Sequence, residues 1–317
     1  MPQTSIATVT VGQFFTTHAR RLKLTLVAGV SGLKRPIRQG AVNRPGLALT
    51  GFFKSFAEKR VQILGSHENA YLKSLTSDEE RQRVTRFFST GIPCVIFARN
   101  IKPTRTFLHE AEQHAIPVFK SPLVTMRLVN SATICLELDF APTTTEHGSM
   151  VDIQGIGVLI RGKSGVGKSE AVLGLIERGY SLVADDITRF TCIEGRDLQG
   201  TSSDITRHHM EVRGLGIINV GSMFGVGSIR LEKRLGLVVT LKDWEEMGDI
   251  DRTGLDDAYY EILGIRTPHV IVPVRPGRDV ARLIEVAALD AKLKAMGHHS
   301  AAEFNQRLKA AMGLTER

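Results

Sequence analysis

Residues 162–169 read Gly-Lys-Ser-Gly-Val-Gly-Lys-Ser. A glycine, four residues and then Gly-Lys-Ser is the Walker A spacing, and each position suits a phosphate. Gly162, Gly165 and Gly167 let the backbone close into a concave nest whose N–H groups face phosphate oxygens. Lys163, Ser164 and Val166 complete that cradle. Lys168 offers an ammonium to the β- and γ-phosphates, and the Ser169 hydroxyl can join the shell of a magnesium ion. The spacing therefore predicts that a nucleoside triphosphate is handled here. The fate of its γ-phosphate has to be read from other residues.

Asp185-Asp186 follow the apolar run Leu182-Val183-Ala184. Acids at the carboxyl end of a strand in an α/β sheet lie beside the phosphate loop. One carboxylate suits magnesium, and the other suits the proton of an attacking hydroxyl. Glu211 and Arg213 stand two apart, so an extended strand would place both on one face. They pair a carboxylate for metal with a guanidinium for phosphate, or else form a plain surface ion pair. The run Pro273-Val274-Arg275-Pro276-Gly277-Arg278 reads as a rigid turn carrying two arginines, either a phosphate clamp or surface. Taken alone, Arg252 in an acidic loop reads as surface, and spacing leaves His147 undecided.

Around these residues the pattern is α/β. The apolar, branched stretch 156–160 reads as a buried strand entering the loop, and 170–178 has helical spacing that Gly179 stops. Further strands are expected at 180–184, 237–241 and 269–274, with helices at 281–296 and 302–312. The first half alternates strands at 24–29, 61–65, 93–98 and 116–119 with helices at 77–89 and 106–114. Composition turns polar around 141–145, which divides the chain into an N-terminal α/β domain, 1–140, and a catalytic domain, 141–317.

The chain has 317 residues, enough for two domains each with its own core. No apolar run is long enough to cross a bilayer, and residues 1–20 lack the pattern of a secretory signal. Cys94, Cys135 and Cys192 are widely spaced and read as buried, reduced thiols of a cytoplasmic protein. The net charge of +8 is uneven: residues 1–140 hold 19 Lys and Arg against 9 Asp and Glu. No DNA- or RNA-binding pattern accompanies that excess, so a solvated basic surface is expected rather than a nucleic-acid partner.

Taken together, His147-Gly148, the loop with Glu170, Ala184-Asp185-Asp186, the stretch from Glu211 to Val220, and residues 272–278 with Ile284-Glu285-Val286-Ala287-Ala288 resemble the HPr kinase/phosphorylase family. These stretches span essentially the whole C-terminal half. The resemblance implies a kinase domain whose phosphate-loop core is similar to that of phosphoenolpyruvate carboxykinase. It implies a cytoplasmic hexamer that phosphorylates a serine of the phosphocarrier protein HPr with ATP or pyrophosphate and magnesium. It also implies the reverse, phosphorolysis by inorganic phosphate with release of pyrophosphate. On this resemblance, Asp186 takes the serine proton and returns it in reverse, and His147, Lys168 and Arg252 are active-site residues. Ser169 and Glu211 bind magnesium. Met210, Glu211, Val212, Arg213, Gly214, Leu215, Gly216, Ile217, Ile218 and Asn219 serve both reactions, and Pro273 to Arg278 serve dephosphorylation. Lys163 departs from the pattern, since many members carry an acidic or small residue there. A metabolite kinase or carboxykinase, and a nucleotide-gated binding module, stand as the alternatives.

Overall fold

A computed structural model describes residues 9–246 and 258–312. The chain divides between Ala141 and Pro142 into two compact units.

The N-terminal unit is a three-layer α/β/α sandwich. Its sheet runs in the order Thr25–Ala28, Val118–Lys120, Val95–Phe97, Val61–Leu64, Val42–Asn43. All neighbours are parallel except the first pair. Short apolar strands buried on both faces require helices on both sides. Helices Val11–Leu22 and Thr125–Asp139 cover one face through Phe14, Leu22, Leu128 and Leu136. The first of these helices carries local signals of its own, a Thr10–Gln13 capping box and the spacing of Val11, Phe14, His18 and Leu22 on one buried face. Ser66–Ser74, Ser77–Ser89 and Arg105–Gln113 cover the other face with Phe87, Phe88 and Phe107. The expected start at Ser77 is set by a capping box: Thr76 accepts from Glu79 N–H, and the Glu79 carboxylate accepts from Thr76 N–H at 2.9 Å.

One polar contact fastens the two helices of the first face. His18 Nε2 lies 3.0 Å from both carboxylate oxygens of Asp139, under a nearly closed surface. The carboxylate, and then neighbouring Cys135, raise the imidazole from 6.5 to about 9, against burial.

The C-terminal unit is built on a mixed sheet. Its order is Ser181–Ala184, Ser149–Ile153, Ile156–Gly162, Glu232–Asp243, Asp197–Thr201, Ile187–Ile193, Thr143–His147. Ile265–Val274 also pairs with Glu232–Asp243, and Ala258–Ile262 pairs with Ile265–Val274. Helices Lys168–Glu177 and Val280–Ala295 cover one face, packing Val172, Leu175, Ile176 and Ile284 on Val158, Ile160, Val239 and Leu241. On the other face, Phe190 and Leu198 close over Leu159, Val183 and Val238. Among the described residues of this unit, the strands that run parallel as immediate neighbours are Ile156–Gly162, Glu232–Asp243 and Ile265–Val274. The expected last helix forms at Ser300–Ala311, but none of its side chains is buried. All three cysteines are free and buried.

A pair whose histidine is raised in the folded state stabilises fully below pH 6.5, and that contribution fades as pH rises through about 9. His18→Gln is therefore expected to destabilise the N-terminal unit by on the order of 2 kcal/mol at pH 6. The gap to wild type should narrow by pH 9.5. Urea unfolding at both pH values checks this, and a gap independent of pH would contradict it.

Candidate active site

The strand Ile156–Gly162 leads directly into the phosphate loop, and the helix starts at Lys168 with Gly167 as its N-cap at φ 95°. Gly165 is also left-handed, at φ 87°. Gly162 is needed for a different reason. A Cβ there would sit 2.7 Å from the Leu241 carbonyl oxygen and 2.8 Å from Val166 Cγ1. The loop is thus pressed against the neighbouring parallel strand, and Val166 packs on the helix-side core. Lys168 Nζ donates to the carbonyls of Gly162 and Lys163, each at 3.0 Å. With a cation already drawn to the loop interior, the loop backbone, exposed at Lys163 to Gly165, and the Ser169 hydroxyl fit a polyphosphate.

Asp185 and Asp186 end the strand Ser181–Ala184, which runs in the same direction as the loop strand. Ser149–Ile153 lies between the two strands. The two acids differ in environment. Ser149 Oγ donates to Asp185 Oδ1 at 2.7 Å, and the Glu211 backbone N–H donates to Oδ2 at 3.1 Å. Asp185 is therefore a bracing residue. Burial pushes its carboxyl above the ordinary range, while those hydrogen bonds oppose the rise. Asp186 is exposed and held at φ 58°. Its N–H donates to Ser149 Oγ at 3.3 Å, and its carbonyl accepts from Gly148 N–H at 2.7 Å. Exposed His147 pairs with Ile187 across the same turn. The structure thus joins His147 to Asp186, which spacing left apart.

His209–Val212 and Gly216–Asn219 form a hairpin. Met210 and Val212 point into the core, while Glu211, Leu215, Gly216 and Ile217 are exposed. Arg213 does not share a strand face with Glu211. The strand ends at Val212, and Leu215 N–H returns to the Val212 carbonyl, so Arg213 and Gly214, at φ 87°, make the turn. From there Arg213 Nη2 reaches Ser164 Oγ in the loop at 3.4 Å. Gly214 and Gly216, at φ 87° and 89°, bend the hairpin.

The arginine segment is also divided. Pro273 and Val274 finish the strand Ile265–Val274, and only Arg275 to Arg278 turn, with Gly277 at φ 78°. Arg278 N–H returns to the Arg275 carbonyl at 3.2 Å. Register aligns this turn with the loop, since Gly162 pairs with Leu241 and Val274 pairs with Asp243. Between them lies the short turn Trp244–Glu246. The Arg275 guanidinium stacks over the Trp244 ring at 3.2 Å, and Lys163 Nζ meets Glu246 Oε1 at 2.6 Å. Trp244, Glu246 and Ser149 carry no spacing signal; only the fold brings them here. Arg252 lies outside the described residues.

Among the described residues no three His, Cys, Asp or Glu side chains gather into a metal-holding group. A donor set of one hydroxyl and separated carboxylates suits magnesium, which keeps waters and takes substrate phosphate oxygens. Gly162→Ala is expected to lower the melting temperature by several degrees and weaken ATP binding at least about tenfold, because backbone must move. Thermal unfolding and calorimetric titration check this. Lys163→Ala, which removes only an exposed ion pair, is expected to change stability by less than about 1 kcal/mol.

Residues 138–308 match the HPr Serine kinase C-terminal domain, and residues 9–136 match the HPr Serine kinase N terminus. The HPr kinase/phosphorylase of Leptospira biflexa serovar Patoc is 44% identical over 289 residues, covering 90% of each chain. That of Caldicellulosiruptor bescii is 41% identical over 303 residues, covering 94% of this chain and 97% of the relative. The solved HPr(Ser) kinase/phosphatase from Coxiella burnetii is 34% identical, covers 51% of this chain and 98% of its own, and superposes with a TM-score of 0.46. With both halves matched and nine-tenths of its length aligned at this identity, the chain belongs to the HPr kinase/phosphorylase family.

Proposed function

We propose that this enzyme phosphorylates a serine of HPr with ATP or pyrophosphate and magnesium, and removes the phosphate by phosphorolysis. The supporting observation is that one end of one sheet carries the phosphate loop, the Asp186–His147 turn and the Arg275 turn. The names of the relatives agree with that reading.

In the forward direction the serine oxygen bonds to the terminal phosphorus as the bridging P–O bond breaks and ADP, or phosphate, departs. Asp186 accepts the serine proton. The role is assigned to Asp186 rather than Asp185 because Asp186 is exposed to an incoming hydroxyl, whereas Asp185 is half-buried and held by Ser149 and the Glu211 N–H. In reverse, an oxygen of inorganic phosphate bonds to the phosphoserine phosphorus, the serine P–O bond breaks, Asp186 returns the proton and pyrophosphate leaves. Lys168 and the loop amides bind the phosphates, and His147 and Arg252 complete the site. Ser169 and Glu211 would hold magnesium, which offsets charge on the transferring phosphoryl group. The stretch 210–219 serves both directions, since its Glu211 N–H braces Asp185 and its Arg213 meets the loop. The arginine turn grips the phosphate of the reverse reaction.

We also propose a cytoplasmic homo-oligomer, a hexamer in keeping with the family, and a core akin to that of phosphoenolpyruvate carboxykinase. Among the described residues no helix is long and apolar enough to cross a membrane. Exposed Val286, Leu293, Phe304 and Leu308 offer apolar surface for assembly.

The decisive assay incubates the protein with HPr, ATP and magnesium, detects phosphoserine by mass spectrometry, then adds inorganic phosphate and measures pyrophosphate. Turnover on a metabolite with no phosphoserine on HPr would sink the proposal. Asp186→Asn is expected to slow both directions by about 100-fold or more, since one group moves the proton each way. Retention of kinase activity would demand another base. Arg275→Ala should impair phosphorolysis several-fold more than phosphorylation; equal loss would argue against a specialised grip.

A further inference from the structure

The candidate site is assembled from two layers of the one sheet, which folds so that Phe190 and Leu198 close over Leu159 and Val238. His147 and the Asp186 turn belong to the strands Thr143–His147 and Ile187–Ile193, while the phosphate loop rises from Ile156–Gly162. One polar cluster joins the layers directly beneath it, and no proposed catalytic step uses it. Arg161 Nη2 lies 3.3 Å from Glu146 Oε2. The Arg161 guanidinium also stacks over the Tyr260 ring, 4.2 Å from its centroid. Tyr260 Oη donates to the same Glu146 oxygen at 3.1 Å. Tyr260 is fixed in turn by an edge contact with His269, ring centroids 5.8 Å apart. His269 Nε2 shares a 2.8 Å hydrogen bond with Thr240 Oγ1, and Thr240 is the register partner of Arg161.

We propose that Glu146, Arg161 and Tyr260 are positioning residues that fix His147 and the phosphate loop relative to one another. The argument is first one of sequence adjacency. Glu146 immediately precedes His147, and Arg161 immediately precedes Gly162. An ion pair between them ties the two backbones at the residues before the chemistry, where a small displacement is transmitted with little loss. The second argument is energetic. Arg161 Nε is buried with no hydrogen-bond partner among the described residues. An unsatisfied buried donor costs about 1–3 kcal/mol, so an apolar pair would bridge these layers with less penalty. The arrangement is better matched to holding a geometry than to stability alone. A planar guanidinium, gripped by a carboxylate at its edge and a ring on its face, has little freedom to slide.

This inference rests on His147 and the loop acting together in phosphoryl transfer, as proposed above. The test uses the full-length protein and the variants Tyr260→Phe, Arg161→Lys and Glu146→Gln. Tyr260→Phe removes only one hydroxyl and guards against simple misfolding. The first readout is steady-state phosphorylation of HPr. Arg161→Lys and Glu146→Gln are expected to lower kcat about tenfold or more, with KM for ATP within about twofold. Their effects should be strongly non-additive in the double variant, because both break one clamp. The second readout needs no activity: histidine ring NMR, with the His147 signal assigned by His147→Gln. The His147 signal should shift or broaden in Arg161→Lys, while that of His18 in the other unit stays put. A purely structural ion pair would lower the melting temperature yet leave kcat and the His147 signal unchanged, and that result overturns the inference. If wild type leaves HPr unmodified, the functional proposal falls, and the His147 signal still decides whether the clamp positions that residue.

Discussion

The parallel pairing of Ile156–Gly162 with Glu232–Asp243 is the constraint on which the C-terminal unit depends. It sets Gly162 against Leu241 so closely that no side chain fits. That contact fixes where the loop leaves the sheet, and Val166 seats its far side on the core. The same central strand pairs with Ile265–Val274, so the arginine turn ends up level with the loop. A shift of register by one residue would turn the core residues of the loop strand outward and carry the phosphate cradle with them.

A second brace acts through a buried acid rather than through a strand. Asp185 is a costly group to bury, and its raised pKa records that cost. Its two oxygens are spent on Ser149 and on the hairpin backbone at Glu211, tying three separate segments together. The consequence for chemistry is a division of labour between adjacent acids. Asp185 holds the local frame, and Asp186 is left exposed beside His147 at a left-handed backbone position. Such a conformation in a residue other than glycine is maintained only where its surroundings enforce it, as the Gly148 N–H contact does here.

Lys163 adds a positive charge to the phosphate loop, and Glu246 partners that charge at 2.6 Å. Both ends are well exposed, so screening leaves the pair weak. Trp244 in the same turn engages Arg275 by stacking, a contact less sensitive to salt. The turn therefore lies between loop and arginine turn and touches each.

Much of this protein is legible in its sequence. The Gly-Lys-Ser ending of the loop, the apolar strand before it and the amphipathic helix after it are local patterns, and local backbone preference suffices to form them. The acid pair and the family resemblance follow from residue order alone. Other features required the fold. The insertion of Ser149–Ile153 between the loop strand and the strand that ends at Asp185 is a matter of sheet topology that spacing does not encode. Arg213 reads as a strand residue and sits in a turn, because Gly214 takes the left-handed conformation that ends the strand. Which of two neighbouring acids is free, which partner Lys163 finds and why His147 belongs with Asp186 are all contacts between residues far apart in the chain. Spacing along a chain encodes local conformation; it does not encode the packing of one layer on another, and these pairings are set by that packing.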